Sequence, residues 1–227
     1  MLYYITDRMQ LAADEPQRRA RLLERVEQAA RAGVDCIQLR ERDLSARELE
    51  QLAGEVMEAV RRAHKQAGAR TRVLINSRCD VAIACGADGV HLRSGQREMG
   101  AADARAILVK AGLKTPLVAV SCHTKEEVER AAAEGADFAV LGPVFSQGPD
   151  AAGEHARPAG LDALRAACRA AAGAMPVLAL GAVTTENAAE CLRAGAAGVA
   201  GIRLFQQGDV AATVAKLRRV RALRTDA

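Results

Sequence analysis

The stretch Gly135–Phe145, GADFAVLGPVF, constrains the fold more than any other, because its first half is echoed three times. The echoes are Ala32-Gly33-Val34-Asp35, Cys85-Gly86-Ala87-Asp88 and Ala194-Gly195-Ala196-Ala197. Each follows an Ala-rich helical run and precedes a short apolar run, so a glycine closes a helix and the chain turns into a buried strand. The joints recur about every 50–60 residues, twice the roughly 25–30 of one strand-plus-helix unit. A regular βα repeat follows, in which alternate joints carry other residues. Short strands flanked by helices suit a closed parallel barrel better than a linear array.

At 227 residues the chain suffices for one (β/α)8 barrel, and a single domain over residues 1–227 is expected. Half the residues are apolar but only 2% are aromatic, so Val, Leu, Ile and Ala must fill the core. A net charge of +4 is too small to name a partner. No aromatic stacking platform accompanies the basic tail Lys216, Arg218, Arg219, Arg221 and Arg224, which fits the end of a last helix; no nucleic acid is implied. The six cysteines form no C-x-x-C pair and read as buried thiols. With neither a secretory h-region nor an apolar run near 18 residues, a cytoplasmic protein without membrane contact is expected.

Eight strands are expected at Leu2–Thr6, Cys36–Leu39, Val73–Asn76, Gly89–Leu92, Leu117–Ser121, Phe138–Leu141, Val177–Leu180 and Gly198–Ile202, with eight helices between and after them. The first helix is expected at Arg18–Ala32 after Pro16, the seventh at Thr185–Ala194. Ser45 with Glu48, and Thr124 with Glu127, have capping-box spacing. Gly142–Pro158 lacks periodicity and reads as a long loop.

In such a barrel the C-terminal strand ends converge on one mouth. Those ends carry Thr6, Gln38, Arg40, Asn76, His91, Ser121, His123, Gly142, Gly181, Ile202 and Arg203. Stability alone gives no reason to place Arg, Asn, Ser and His there, since an unpaired buried polar group costs about 1–3 kcal/mol. Arg40 and Arg42, two apart on an extended chain, share a face and can close on one phosphate; a solvated pair is the plainer reading. Asn76 can instead cap a short helix, and His91 can be a packed histidine. His123 at a helix N-terminus suits proton transfer. Gly181-Ala182 and Gly198–Gly201 can let backbone N–H groups approach a phosphate, or be ordinary turn glycines. The residues reach a barrel enzyme acting on a small phosphorylated substrate, without naming the reaction.

The stretches YYITDR, GVDCIQLRERD, VLINSRCDVAIACGADGVHL, AVSCHTKEEVERAAAEGADFAVLGPVF, PVLALGAVTTEN and AGAAGVAGI, in this order, resemble the thiamine phosphate synthase and thiazole tautomerase superfamily over nearly the whole chain. The resemblance implies a (β/α)8 TIM barrel. It implies an enzyme joining hydroxymethylpyrimidine diphosphate to thiazole phosphate, with diphosphate released and Mg²⁺ at the departing group. By motif match Gln38, Arg40, Arg42 and Asn76 face the pyrimidine diphosphate, Ser121 lies near the diphosphate, and Gly181, Gly201 and Ile202 form the thiazole phosphate cradle. Arg40 and Asn76 would be catalytic. The chain departs from the synthase pattern at Ser77, where a metal-binding acid is expected. After His91-Leu92 only Glu98 offers a second carboxylate, and Gln147-Gly148-Pro149-Asp150 replaces a Thr/Lys clamp. The tautomerase branch, which needs no metal, is similar at His91–Gly95 and at His123, its acid/base. A non-catalytic barrel binding thiazole or thiamine phosphate is the third alternative. Ala-rich helices can support a homodimer.

Overall fold

The computed structural model describes residues 1–68, 70–93, 95, 98–146 and 158–225, the last five as backbone only. Eight parallel strands close into a barrel in sequence order: β1 (Leu2–Ile5), β2 (Cys36–Leu39), β3 (Arg72–Asn76), β4 (Gly89–Leu92), β5 (Leu117–Cys122), β6 (Phe138–Leu141), β7 (Val177–Ala179) and β8 (Gly198–Gly201). β8 pairs back onto β1, with Tyr3 opposite Ala200. The expected (β/α)8 TIM barrel is the observed fold. The helices are α1 (Glu15–Arg31), α2 (Ala46–Ala67), α3 (Cys79–Cys85), α4 (Ala101–Lys110), α5 (Lys125–Ala133), α6 (Gly160–Ala170), α7 (Ala188–Arg193), α8 (Arg203–Gln206) and α9 (Val210–Thr225). Most of the expected loop, including Gln147–Asp150, lies outside the described residues, as do Ser94 and Gln96.

Local chemistry sets the helix ends. Ser45 and Glu48 form the capping box of α2, and Gly68 closes it in the left-handed region (φ 65°). α1 starts earlier than its apolar pattern indicates: Asp14 caps it through the Gln17 N–H, and Pro16 sits inside its first turn, where its missing N–H costs nothing. Before α5, the Thr124 hydroxyl accepts from the Glu127 N–H while the Glu127 carboxylate takes the His123 N–H. α7 is shorter than expected, because Thr184 and Asn187 bond to each other's backbone and hold the preceding residues in a turn. A short 3-10 turn at Arg8–Gln10 and α8 add two elements to the expected set.

The structure also explains why the joint motif recurs every second unit. All four joint glycines have positive φ, between 67° and 109°, which lets each helix end and the chain reverse without a Cβ clash. The aspartate after each of the first three then bonds the strand preceding its own. Asp35 accepts from the Leu2 N–H at 2.6 Å, Asp88 from Val73 at 2.8 Å and Asp137 from Val118 at 2.6 Å. Each staple ties an odd strand to the next even one at the N-terminal end of the barrel. At the fourth joint Ala197 keeps only backbone bonds, to Val177 and from the Met1 amine.

Alternation along the strands divides the core in two. Tyr3, Ile5, Cys36, Leu74, Ala119, Phe138, Val140, Leu178 and Ala200 fill the barrel interior, and a larger set of Val, Leu and Ala seals sheet against helices. Two of the few aromatics, Tyr3 and Phe138, meet edge to face inside the barrel, 5.2 Å between ring centres. Two of the C-terminal basic residues dock on the scaffold: Arg218 bonds Asp35 and the Gly33 carbonyl, and Lys216 bonds Glu186. No helix among the described residues is long and apolar enough to cross a membrane.

Candidate active site

The β1 and β2 ends build one side of the mouth around a buried cation. Arg8 is 2% exposed and donates to Glu15, to Glu41 and, through both terminal nitrogens, to Asp43. Glu41, 5% exposed, also accepts from the Thr6 hydroxyl at 2.5 Å and the Arg8 N–H at 3.0 Å. Thr6 in turn accepts the Arg40 N–H at 3.0 Å. Burial pushes the Glu41 carboxyl up, against the pull of Thr6 and Arg8, while Arg8, held chiefly by Asp43, is raised. This strut fixes the backbone of residues 40–43 from below. Arg40 and Arg42 rise from it, and among the described residues neither guanidinium has a carboxylate partner within bonding distance. Burial, then the neighbouring Arg42 charge, lowers Arg40 from its usual value. Arg40 is half-buried and Arg42 exposed, and the absence of a carboxylate partner among the described residues leaves both charges available to an anion.

Next to them, Gln38 donates to the Asn76 carboxamide at 2.8 Å, joining the ends of β2 and β3. Asn76 does not cap α3: its carboxamide oxygen is taken by Gln38, and the N-cap Arg78 makes no side-chain capping bond. His91, on β4, is 2% exposed; its Nδ1 meets the Tyr3 hydroxyl and its Nε2 the Ser121 hydroxyl, both at 2.8 Å. Its ring lies 12° from the plane of Tyr3. Burial, and then the Arg40 charge, lowers its pKa to about 3, so the imidazole is neutral at physiological pH. Gln38, Arg40, Asn76, His91 and Ser121 thus occupy the ends of four consecutive strands.

Opposite, the ends of β7 and β8 line a cavity of about 730 Å³ with Gly181, Ala182, Gly201, Ile202 and Arg203. Gly181 has φ 102°, and a Cβ there would lie 2.4 Å from the Pro143 Cα, so its smallness first serves loop packing. The expected role for Gly198 is corrected: its Cβ would lie 1.8 Å from the Met1 carbonyl oxygen, at the N-terminal end of β8, away from the mouth. Among the described residues the non-glycine positions with positive φ are Ser77 (55°) and Ala182 (47°), directly after β3 and just beyond β7. Such strain, of order 1–3 kcal/mol each, gathers where function demands it.

His123 is exposed at the β5 end, its Nδ1 2.7 Å from the Gly142 carbonyl oxygen. A carbonyl only accepts, so the neutral ring carries its proton on Nδ1 and leaves Nε2 as the acceptor. Glu98 stands apart, in a cavity of about 430 Å³ lined also by Glu127, Arg130 and Glu134 on α5 and beyond it. Among the described residues no three His, Cys, Asp or Glu side chains converge to hold a metal. With Asn76 engaged by Gln38 and serine at 77, the described residues do not fit a Mg²⁺ held by protein ligands alone.

Sequence reasoning missed the strut. Arg8 and Glu41 were given no role, and the available signal was the charge run Arg40–Asp43 right after a buried strand. Arg203 was noted at its strand end without a role, and Tyr3 only as part of a strand.

A family model described as thiamine monophosphate synthase matches residues 2–205. A putative thiamine-phosphate synthase of Geobacter sulfurreducens is 45% identical over 199 residues, 88% of this chain and 83% of that protein. A thiamine-phosphate synthase of Moorella thermoacetica is 37% identical over 199 residues, 87% of each. Among solved structures, a thiamine phosphate pyrophosphorylase from Pyrococcus furiosus superposes with a TM-score of 0.74 at 29% identity, covering 98% of this chain and 95% of that one.

Proposed function

The chain belongs to the thiamine monophosphate synthase family, and on that premise we propose that it couples a pyrimidine-methyl diphosphate to a thiazole phosphate, releasing diphosphate. The observation that carries this is the pair of guanidinium groups, Arg40 and Arg42, without carboxylate partners among the described residues, across the mouth from a glycine-lined cavity. The bond from the pyrimidine methylene to the diphosphate oxygen breaks, its electrons leaving with diphosphate, and the thiazole nitrogen supplies the pair for the new C–N bond. Arg40 and Arg42 stabilise the charge growing on the leaving group, in a site where partial burial strengthens the attraction. Gln38 and Asn76 hold the pyrimidine edge. Gly181, Gly201 and Ile202 receive the thiazole phosphate through backbone N–H groups. With no protein ligand set for Mg²⁺ among the described residues, any divalent cation enters with the diphosphate. The test is to supply both substrates, with and without Mg²⁺, and follow thiamine phosphate. Turnover that falls about 10²–10³-fold in Arg40→Ala supports the reading, and no product at any Mg²⁺ concentration overturns it.

One observation favours a second reading, thiazole phosphate tautomerisation. His123 offers a basic Nε2, and its anchor Gly142 adjoins Pro143, which packs on Gly181 of the cradle. Here His123→Ala slows aromatisation while thiazole phosphate still binds; unaltered turnover excludes it.

A further inference from the structure

The line of hydrogen bonds through the barrel interior has a direction. Tyr3 is fully buried, and among the described residues its hydroxyl has one hydrogen-bonding partner, His91 Nδ1. Were Nδ1 to carry the imidazole proton, the phenolic hydrogen would point at no acceptor and lose its hydration without return. The arrangement that satisfies every group has Tyr3 O–H donating to Nδ1, which puts the single proton of the neutral ring on Nε2. Nε2–H then donates to Ser121 Oγ. With that oxygen accepting from inside, and no other partner for it among the described residues, the Ser121 hydrogen is directed outward to the mouth.

We propose that Tyr3, acting through His91, is a positioning residue that makes Ser121 an obligate hydrogen-bond donor toward bound substrate. That hydrogen favours a group able to accept at that point, and an ionised diphosphate oxygen is ligand chemistry that fits. The identity of the acceptor rests on the synthase reading; the polarity of the relay does not. The Arg40 charge lies close enough to act on His91, which places a cation on the same side of the barrel as the Ser121 hydroxyl. No proton moves along the line during turnover: its part is orientation, set when the protein folds.

The experiment combines imidazole ¹⁵N NMR with binding of inorganic diphosphate, measured by calorimetry on the intact protein. The His91 resonances are assigned by their loss in His91→Gln. Wild type is expected in the Nε2–H tautomer, and Tyr3→Phe, which keeps the ring and removes the donor, populates Nδ1–H. Diphosphate affinity falls about tenfold in Tyr3→Phe and in Ser121→Ala, as loss of one bond to a charged acceptor implies. In the Ser121→Ala background Tyr3→Phe adds nothing further, because its effect passes through that hydroxyl. A general loosening of the core would weaken binding equally in both backgrounds, and that result overturns the proposal, as does a wild-type Nδ1–H ring. If the tautomer shift and the non-additive cycle hold while no thiamine phosphate forms, the synthase reading falls and the donor assignment stands.

Discussion

Replacing Arg8 by Met tests whether the mouth is held from below by charge. Three carboxylates lose a partner, but not equally. The side chains of Glu15 and Asp43 are 48% and 51% exposed, so water replaces the guanidinium and each loss is worth at most about 1 kcal/mol. That of Glu41 is 1% exposed and left as a buried anion. Removing one partner of a buried pair costs about 3–5 kcal/mol, and the lower end applies because the Thr6 hydroxyl and the Arg8 N–H still serve Glu41. A loss of about 3 kcal/mol corresponds to a fall in Tm of roughly 6–12 °C for a chain of this size. The sign with pH is fixed. Burial already places the folded Glu41 pKa above its unfolded value, and without Arg8 it rises further, so the folded state binds the extra proton. Stability of Arg8→Met is then retained below the unfolded pKa of about 4.3 and lost as pH rises through the folded value. Urea denaturation at pH 5 and pH 8 reads this directly, with the larger deficit at pH 8. Adding Glu41→Gln removes the stranded charge and recovers at least half of the loss. A deficit under about 1 kcal/mol, or one that Glu41→Gln does not relieve, would refute the reasoning.

Gly181→Ala sets a Cβ 2.4 Å from Pro143 Cα at φ 102°, so it destabilises by about 2 kcal/mol or more in denaturant titration and raises KM for the thiazole phosphate. Asp137→Ala removes acceptors for the Val118 N–H and Arg105, an expected cost of about 1–2 kcal/mol, whereas Asp80→Ala, which breaks an exposed pair with Arg78, stays within about 0.5 kcal/mol. Burial pushes the Cys122 and Cys191 thiols up to about 12 and Cys36 higher still, so a thiolate-selective reagent at pH 8 leaves these three unmodified in the native protein. Unfolding in guanidinium then exposes all six cysteines, and rapid native labelling of Cys122 would contradict its burial.

What could be read from the sequence depended on how far apart the interacting residues lie. Strands and most helices were legible because their signals are local: a glycine at each joint, followed at three of the four by an aspartate, Ser45 three residues before Glu48, short apolar runs. Arg40, Asn76 and Ser121 were legible as a set, because polar residues ending apolar strands can only meet at the mouth. Arg8 was not, since its partners Glu41 and Asp43 lie 33 and 35 residues away and nothing local distinguishes it from a loop cation. α8 spans four residues, too few for periodicity to speak. Gly198 misled for a related reason: a strand glycine looks the same whether a ligand or the Met1 backbone approaches it, and only the β8–β1 closure tells which.

The two ends of the barrel use polar residues in opposite ways. At the N-terminal end each joint aspartate is matched, Asp35 by Leu2 N–H and Arg218, Asp137 by Val118 N–H and Arg105, so charge there is satisfied within the protein. At the C-terminal end the inner layer is satisfied as well, by the Arg8 strut and by Tyr3 and His91, yet each chain of bonds finishes in a group with capacity left over. Among the described residues, the Arg40 guanidinium and His123 Nε2 have no bonded partner, and the proposed relay leaves Ser121 its hydrogen. Positive φ at Ser77 and Ala182 adds strain to the same rim. Stability alone would close these chains as it closes those at the joints. That the described residues of this rim carry Arg40 and Arg42 without carboxylate partners and glycine backbone at Gly181 and Gly201 is the physical ground for the anionic substrate proposed above.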